Sequence, residues 1–170
     1  MTIANLESEL RDLHEATFSW ALVCCSGDRE EAQDVLQDTY VRLLDGALDF
    51  GGRSSFKTWL FSVVRRAVRD RRRRSAVRRV LLDQWLPPRE SRPASQEVAT
   101  IERERAGRVR RLLGELSTRQ RQVLELVFFH ELPLREAAAV LEISGGSVSR
   151  HYDRGKRALL QRLQESDIEL

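Results

Sequence analysis

A chain of 170 residues, 41% hydrophobic and 32% charged, is long enough for one ordinary domain or two small ones, each with a real core and a solvated surface. Its formal net charge is +3, and no run approaches the roughly eighteen apolar residues that a transmembrane helix needs. The N-terminus, Met1 to Glu7, lacks the basic-then-apolar order of a secretory signal, so a cytoplasmic protein without membrane insertion is expected.

The charges are segregated. Asp28, Glu30, Glu31, Asp34, Asp38, Asp45 and Asp49 stand against only Arg29 and Arg42, whereas residues 65–79 carry nine arginines and one acid, Asp70. Such segregation predicts separate surfaces for a basic partner and an acidic one. Cys24 and Cys25 are the only cysteines; adjacent cysteines rarely bridge. With His14, His130 and His151 scattered, no metal-ligand spacing exists, and the two cysteines read as small buried hydrophobes.

In chain order, Leu6 to Cys25 reads as one helix, with Leu6, Leu10, Leu13, Thr17, Trp20 and Cys24 on a shared face. Ser26-Gly27-Asp28 breaks it, and Asp28 with Glu31 three residues on has the form of a capping box. The next helix, Arg29 to about Leu44, is predicted to bury Ala32, Val35, Leu36, Thr39 and Leu43, leaving Asp34, Gln37, Asp38 and Arg42 outside. Gly46 and Gly51-Gly52 mark a loop. A third helix opens at Phe56. Read at about 100° per residue, Phe56, Trp59, Leu60, Val63, Val64 and Ala67 share its inner side, and Thr58, Ser62, Arg65 and Arg69 line the other. The run Arg71 to Arg74 follows. A narrow Ser/Thr/Arg face suits a polyanion that displays phosphates and bases, and the run suits a salt-dependent grip on duplex.

From residue 78 the character changes. Val80 to Leu86 is apolar but short, and Pro87-Pro88 and Pro93 stop any helix, so residues 78–95 read as a linker with a sticky segment or as an extension folded back on its own domain. Ser95 can cap a helix over 96–116, with Val98, Ile101, Arg105, Val109, Leu112 and Leu116 at helical spacing. Ser117-Thr118-Arg119-Gln120 is a second capping-box pattern, opening a helix that runs to Phe128 or Phe129. Leu134 to Leu141 is a short helix in which Ala137, Ala138 and Ala139 permit close crossing. Glu142-Ile143-Ser144 is a tight turn, and Gly146 to about Leu163 a longer basic helix. That is the shape of a helix-turn-helix. Val148, Tyr152, Gly155, Leu159 and Leu163 form the inner stripe of the last helix; Ser147, Arg150, Arg154 and Arg157 fall opposite, placed to enter a major groove.

Separate blocks of the chain resemble one family. Gly27 to Leu43 looks like the acidic helix of bacterial sigma factors, and Phe50-Gly51-Gly52-Arg53-Ser54-Ser55-Phe56-Lys57-Thr58-Trp59-Leu60 is similar to their promoter-melting segment. Leu116 to Leu124, followed by Leu134 to Leu159, resembles their C-terminal helix-turn-helix. With two domains and a short linker, the group most similar is the extracytoplasmic-function (ECF) subfamily of sigma-70-type factors. The resemblance implies an all-α chain of two small helical domains. Residues 1–77 would bind core polymerase and recognise and melt the −10 element, 78–95 would be the linker, and 96–170 a four-helix domain whose helix-turn-helix reads the −35 element.

It also implies partners and residues. Asp34, Gln37 and Asp38 would dock on the β′ clamp helices of core RNA polymerase. Phe50, Arg53, Ser54 and Ser55 would hold an everted base of promoter DNA, while Lys57, Ser62, Arg65, Arg66 and Arg69 track the strand. Ser147, Arg150, Arg154 and Arg157 would read the −35 element, with neighbouring helices on the β flap. An anti-sigma factor covering both domains, with the apolar linker partly buried, is a further implied partner. The chain departs from the family's pattern at Arg66, where many members have Asn, at Glu142 and Gly145-Gly146 in the turn, and at Ser149, often lysine. The alternative is a stand-alone helix-turn-helix regulator with an N-terminal sensing or dimerisation domain; it explains residues 110–163 but not the acidic helix followed by Phe50 to Trp59. An enzyme is not expected: no catalytic carboxylate cluster, activated nucleophile, metal site or cofactor loop is legible.

Overall fold

The computed structural model describes residues 3–81, 109 and 111–168. Every regular element among them is helical. The chain divides into two compact units, Met1–Ala94 and Ser95–Leu170. In the first, α1 (Ile3–Asp12), α2 (His14–Cys24), α3 (Arg29–Leu44) and α4 (Phe56–Leu81) form a bundle.

The expected first helix is two helices that meet at Leu13, whose backbone lies at φ −93° and ψ −1°. The ladder is nearly continuous across the junction, since Leu13 N–H donates to Glu9 O and Thr17 N–H to Leu13 O. The Thr17 hydroxyl also donates to Leu13 O at 2.7 Å, and such back-bonding tilts a carbonyl and bends a helix. Asp28 caps α3 as its sequence predicts, accepting the Glu31 N–H at 2.9 Å. All five residues assigned to the inner side of α3 are buried.

Two clusters pin α4. Leu6, Leu10, Leu43, Phe56 and Leu60 form one, with Leu48, Phe50 and Trp59 packed against it. In the other, fully buried Trp20 stacks on Phe61, rings 5.9 Å apart, and its Nε1–H donates to Phe61 O at 3.0 Å. Helix α4 continues to Leu81, so the first four residues of the expected linker extend it. The rest of the apolar segment Val80 to Leu86 and most of the helix expected over 96–116 lie outside the described residues.

In the second unit, residues 111–114 are helical and are followed by α5 (Thr118–Leu124), α6 (Leu134–Leu141) and α7 (Gly145–Ile168). The Ser117/Gln120 capping box forms, with Ser117 N–H donating to Gln120 Oε1 at 3.3 Å. The helix does reach Phe129, but its last turn, Glu125–Phe129, widens into a π-helix closed by His130 N–H on Glu125 O. Leu113, Leu116, Leu124 and Leu159 make the core. The helices α5 and α7 cross at Gly155, where an added Cβ would lie 3.1 Å from Leu124 and 3.2 Å from Gln120. Ala137 and Ala138 are buried at the helix crossing, whereas Ala139, expected with them, faces solvent.

Candidate functional site

The inner stripe of α3 turns Asp34, Gln37 and Asp38 outward, and all three are exposed. Val41 and Leu44 extend that face as exposed apolar residues. Beside it runs the far half of α4. Arg71 Nη2 lies 2.7 Å from Asp34 Oδ2, and its Nη1 lies 4.0 Å from Asp38 Oδ2. Arg72 reaches Glu31 Oε2 at 3.6 Å and donates to Ser26 Oγ at 3.4 Å. The acidic and basic surfaces expected to be separate therefore meet, because residues 71 and 72 sit on the arc of α4 that faces α2 and α3. Each exposed pair stabilises the fold by only about 0.2–1 kcal/mol, but together they orient half of the arginine run toward α3.

Behind this edge Cys24 and Cys25 are buried. Burial, then the Glu31 carboxylate that accepts from the thiol, push Cys25 from 9.0 up to about 12, against the opposing pull of Arg72. Cys25 is held as a neutral thiol, unsuited to redox work or metal binding at neutral pH. Among the described residues no His, Cys, Asp and Glu cluster could hold a metal ion.

Helix α4 buries a wider arc than its periodicity predicts. Thr58 and Arg65, read as lining the polar side, are only 2% and 3% exposed. Phe61 and Val68, left off the inner side, are buried there with Leu60 and Val64. The helix packs against both α2 and α3, so its buried arc exceeds the single apolar stripe that periodicity suggests. What remains outside is a stripe of half-buried Trp59 and Ser62 with exposed Arg66, Arg69 and Arg73. Trp59 packs against the core cluster with its inner side, as expected, and borders the outward stripe with its other edge.

The other residues expected at the −10 element divide. Arg53, Ser54 and Ser55 are exposed in the loop before α4. Ser55 also begins the helix, its Oγ accepting Thr58 N–H at 3.2 Å and donating to Thr58 Oγ1 at 2.8 Å. Phe50 is half-buried, its ring centroid 5.4 Å from those of both Phe56 and Trp59, so it anchors the loop to the core. Lys57 lies on the other side of α4, with Nζ 5.9 Å over the Phe61 ring. Ser62 Oγ donates to Trp59 O at 2.7 Å.

In the second unit Glu142 takes the left-handed conformation (φ 52°) that turns the chain from α6 into α7. Ser144 caps α7, accepting Ser147 N–H at 3.2 Å. Val148, Gly155 and Leu159 are buried and Tyr152 and Leu163 half-buried, as the stripe predicts. Arg150, Arg154 and Arg157 are exposed opposite them, and Ser147 is half-buried at the helix start. Arg150 donates to Gly146 O at 3.2 Å and Arg157 to Asp153 O at 3.3 Å, contacts within their own helix. Gly145 and Gly146 are exposed with open space around them.

Comparison with known proteins matches two families of domain. Residues 7–78 match sigma-70 region 2, and residues 106–159 match sigma-70 region 4. The chain is 30% identical over 156 residues to the ECF RNA polymerase sigma factor SigC of Mycobacterium tuberculosis, covering 88% of this chain and 79% of that protein. Among solved structures, the sigma factor RpoE in complex with the anti-sigma factor NepR from Bartonella quintana has the same fold, with a TM-score of 0.70 at 22% identity, covering 94% of this chain and 97% of that one. CnrH in complex with the cytosolic domain of CnrY is similar at TM-score 0.60 and 26% identity, covering 93% and 87%.

Proposed function

We propose how the surfaces divide the work of a chain that belongs to the extracytoplasmic-function subfamily of the sigma-70 family. It is a sigma factor: it binds core RNA polymerase and directs promoter-specific transcription initiation, and a stand-alone regulator is not favoured. The finer assignment rests on one observation. A single bundle carries an exposed carboxylate face on α3 and, on α4, an outward stripe of half-buried aromatic and hydroxyl groups with exposed guanidinium groups.

Asp34, Gln37 and Asp38 dock on the β′ clamp helices, where charge steers the encounter and the exposed Val41 and Leu44 add apolar contact. Promoter DNA then meets the α4 stripe. Arg53, Ser54 and Ser55 flank an unstacked base of the −10 element, Trp59 offers a ring edge, and Ser62, Arg66 and Arg69 follow the strand. Arg65 supports α4 from inside instead of touching DNA. The outer face of α7, with Ser147, Arg150, Arg154 and Arg157, enters the major groove of the −35 element, and the rest of its unit meets the β flap. Base contacts by these arginines specify; phosphate contacts position and make affinity fall with salt.

No step needs catalysis by this chain, so it acts as a non-enzymatic factor without a cofactor. The site of action is the cytoplasm, where promoter DNA is found; no helix among the described residues is long and apolar enough to cross a membrane. An anti-sigma factor is the restraining partner, a reading supported by the similarity to RpoE, which was solved with one. Domain limits of 1–77, 78–95 and 96–170 serve this division, with α4 continuing four residues into the linker.

Runoff transcription tests the assignment. Core polymerase with this chain is expected to start at a specific promoter, and Asp34→Arg with Asp38→Arg is expected to abolish both the transcript and co-purification with core. Unchanged core binding by that double variant would reject the docking face.

A further inference from the structure

By position Arg71 opens the arginine run expected to hold duplex DNA, yet its guanidinium lies on the carboxylates proposed to dock polymerase. The two Nη atoms divide between Asp34 and Asp38, which stand one helical turn apart on one face of α3. The Arg71 side chain is 36% exposed, against 57% for Asp34 and 76% for Asp38, so both carboxylates keep solvent-facing lone pairs. A cationic partner can therefore reach them from outside while Arg71 holds them from within. Two cations on one pair of carboxylates repel, and the hold on Arg71 weakens as the partner docks.

We infer that Arg71 couples the two surfaces: Asp34 and Asp38 hold it in the free chain, and docking of a cationic polymerase surface releases it to the DNA backbone. This rests on the docking role of Asp34 and Asp38 argued above. Coupling between binding sites is reciprocal, so Arg71 weakens core binding by the same factor by which core binding favours the Arg71–phosphate contact. Arg72 is less suited to this role, because its partners Glu31 and Ser26 belong to the structural corner around Cys25.

A double-mutant cycle on the full chain tests it, with a double-stranded promoter fragment as the DNA probe and no polymerase present. Asp34→Asn with Asp38→Asn raises DNA affinity partly by net charge alone, in any background. The Arg71-dependent part is expected to be about two- to five-fold, the strength of an exposed ion pair, and to vanish in Arg71→Gln. In the Arg71-containing background the slope of log affinity against log salt is expected to steepen by about one more phosphate contact than in Arg71→Gln. Equal gains and equal slopes in both backgrounds would overturn the inference. On the polymerase side, Arg71→Gln is expected to bind core about two- to five-fold tighter than the parent, while Arg11→Gln, the same charge loss on α1, stays close to the parent. Unchanged or weaker core binding by Arg71→Gln would also overturn it. Failure of the docking reading shows separately, as core binding that survives Asp34→Arg with Asp38→Arg.

Discussion

Helices α4 and α7 are both proposed to meet DNA, and they hold their arginines differently. Arg65 in α4 is buried, Arg71 and Arg72 pair with acids of α3, and Arg66, Arg69 and Arg73 share the outward stripe. In α7 exposed Arg150 and Arg157 bond to carbonyls of their own helix, and with exposed Arg154 they lie opposite the buried stripe. The difference comes from position in the fold. A helix wedged between two others has neighbours on most of its circumference, so its polar residues are spent on packing. Helix α7 also meets two helices, α5 and α6, but of its described residues it buries only Val148, Gly155 and Leu159 along one stripe, which leaves its far side for a ligand. Counting arginines therefore overstates the DNA surface of α4 and describes that of α7 well.

The sharpest way to break the comparison is to loosen the wedge. Trp20→Ala removes the ring stacked on Phe61 and the indole donor to its carbonyl, and is expected to cost about 3–5 kcal/mol, seen as a lower urea midpoint by far-UV circular dichroism. A shift below about 1 kcal/mol would mean that α4 is not held by α2 in this way.

Next is an alkaline test of the corner that receives Arg72. Unfolded, the Cys25 thiol ionises near 9.0; folded, it stays protonated to about 12. Its folded value is raised, so its contribution is full below pH 9.0 and is lost as pH climbs toward 12. Across that window the parent is expected to lose up to about 1.4 kcal/mol per pH unit relative to Cys25→Ala, measured by denaturant unfolding. Parallel stability curves for the two proteins would place the thiol in a solvated setting.

Two glycines of α7 give the smaller effects. At Gly155 the space belongs to Leu124 and Gln120, so Gly155→Leu is expected to destabilise by about 1–3 kcal/mol through overpacking. Gly146 has open space, so Gly146→Ala is expected to stabilise by about 0.5–1 kcal/mol, read as a raised melting temperature. Opposite signs sharpen the picture of a helix seated along one line only; equal signs would blur it.

Much of this architecture was legible from residue types. The inner residues of α3, the Asp28 cap, the Ser117/Gln120 capping box and the turn before α7 follow from periodicity and polar chemistry at helix starts, which act within a few residues. The face proposed for −35 recognition was legible for the same reason, since α7 has a single inner stripe. On α4 periodicity misled, because Thr58 and Arg65 are buried by tertiary packing that no local pattern reveals. The break at Leu13, where the Thr17 hydroxyl bonds back to the carbonyl, and the π turn at Glu125–Phe129 likewise carry no periodic signal. The Arg71 pairs join residues 37 and 33 positions apart, which charge counting alone assigns to separate surfaces.

The most direct test of the account separates the two helices in one assay. Holoenzyme reconstituted with Arg66→Ala, Arg150→Ala or Arg65→Ala would be titrated against single-stranded −10 oligonucleotide and against −35 duplex. Arg66→Ala is expected to weaken the first and Arg150→Ala the second, each by about 1–3 kcal/mol, while Arg65→Ala lowers stability and leaves both affinities unchanged at temperatures where the chain stays folded. Equal losses on both DNAs for Arg66→Ala and Arg150→Ala, or a selective −10 loss for Arg65→Ala, would contradict it.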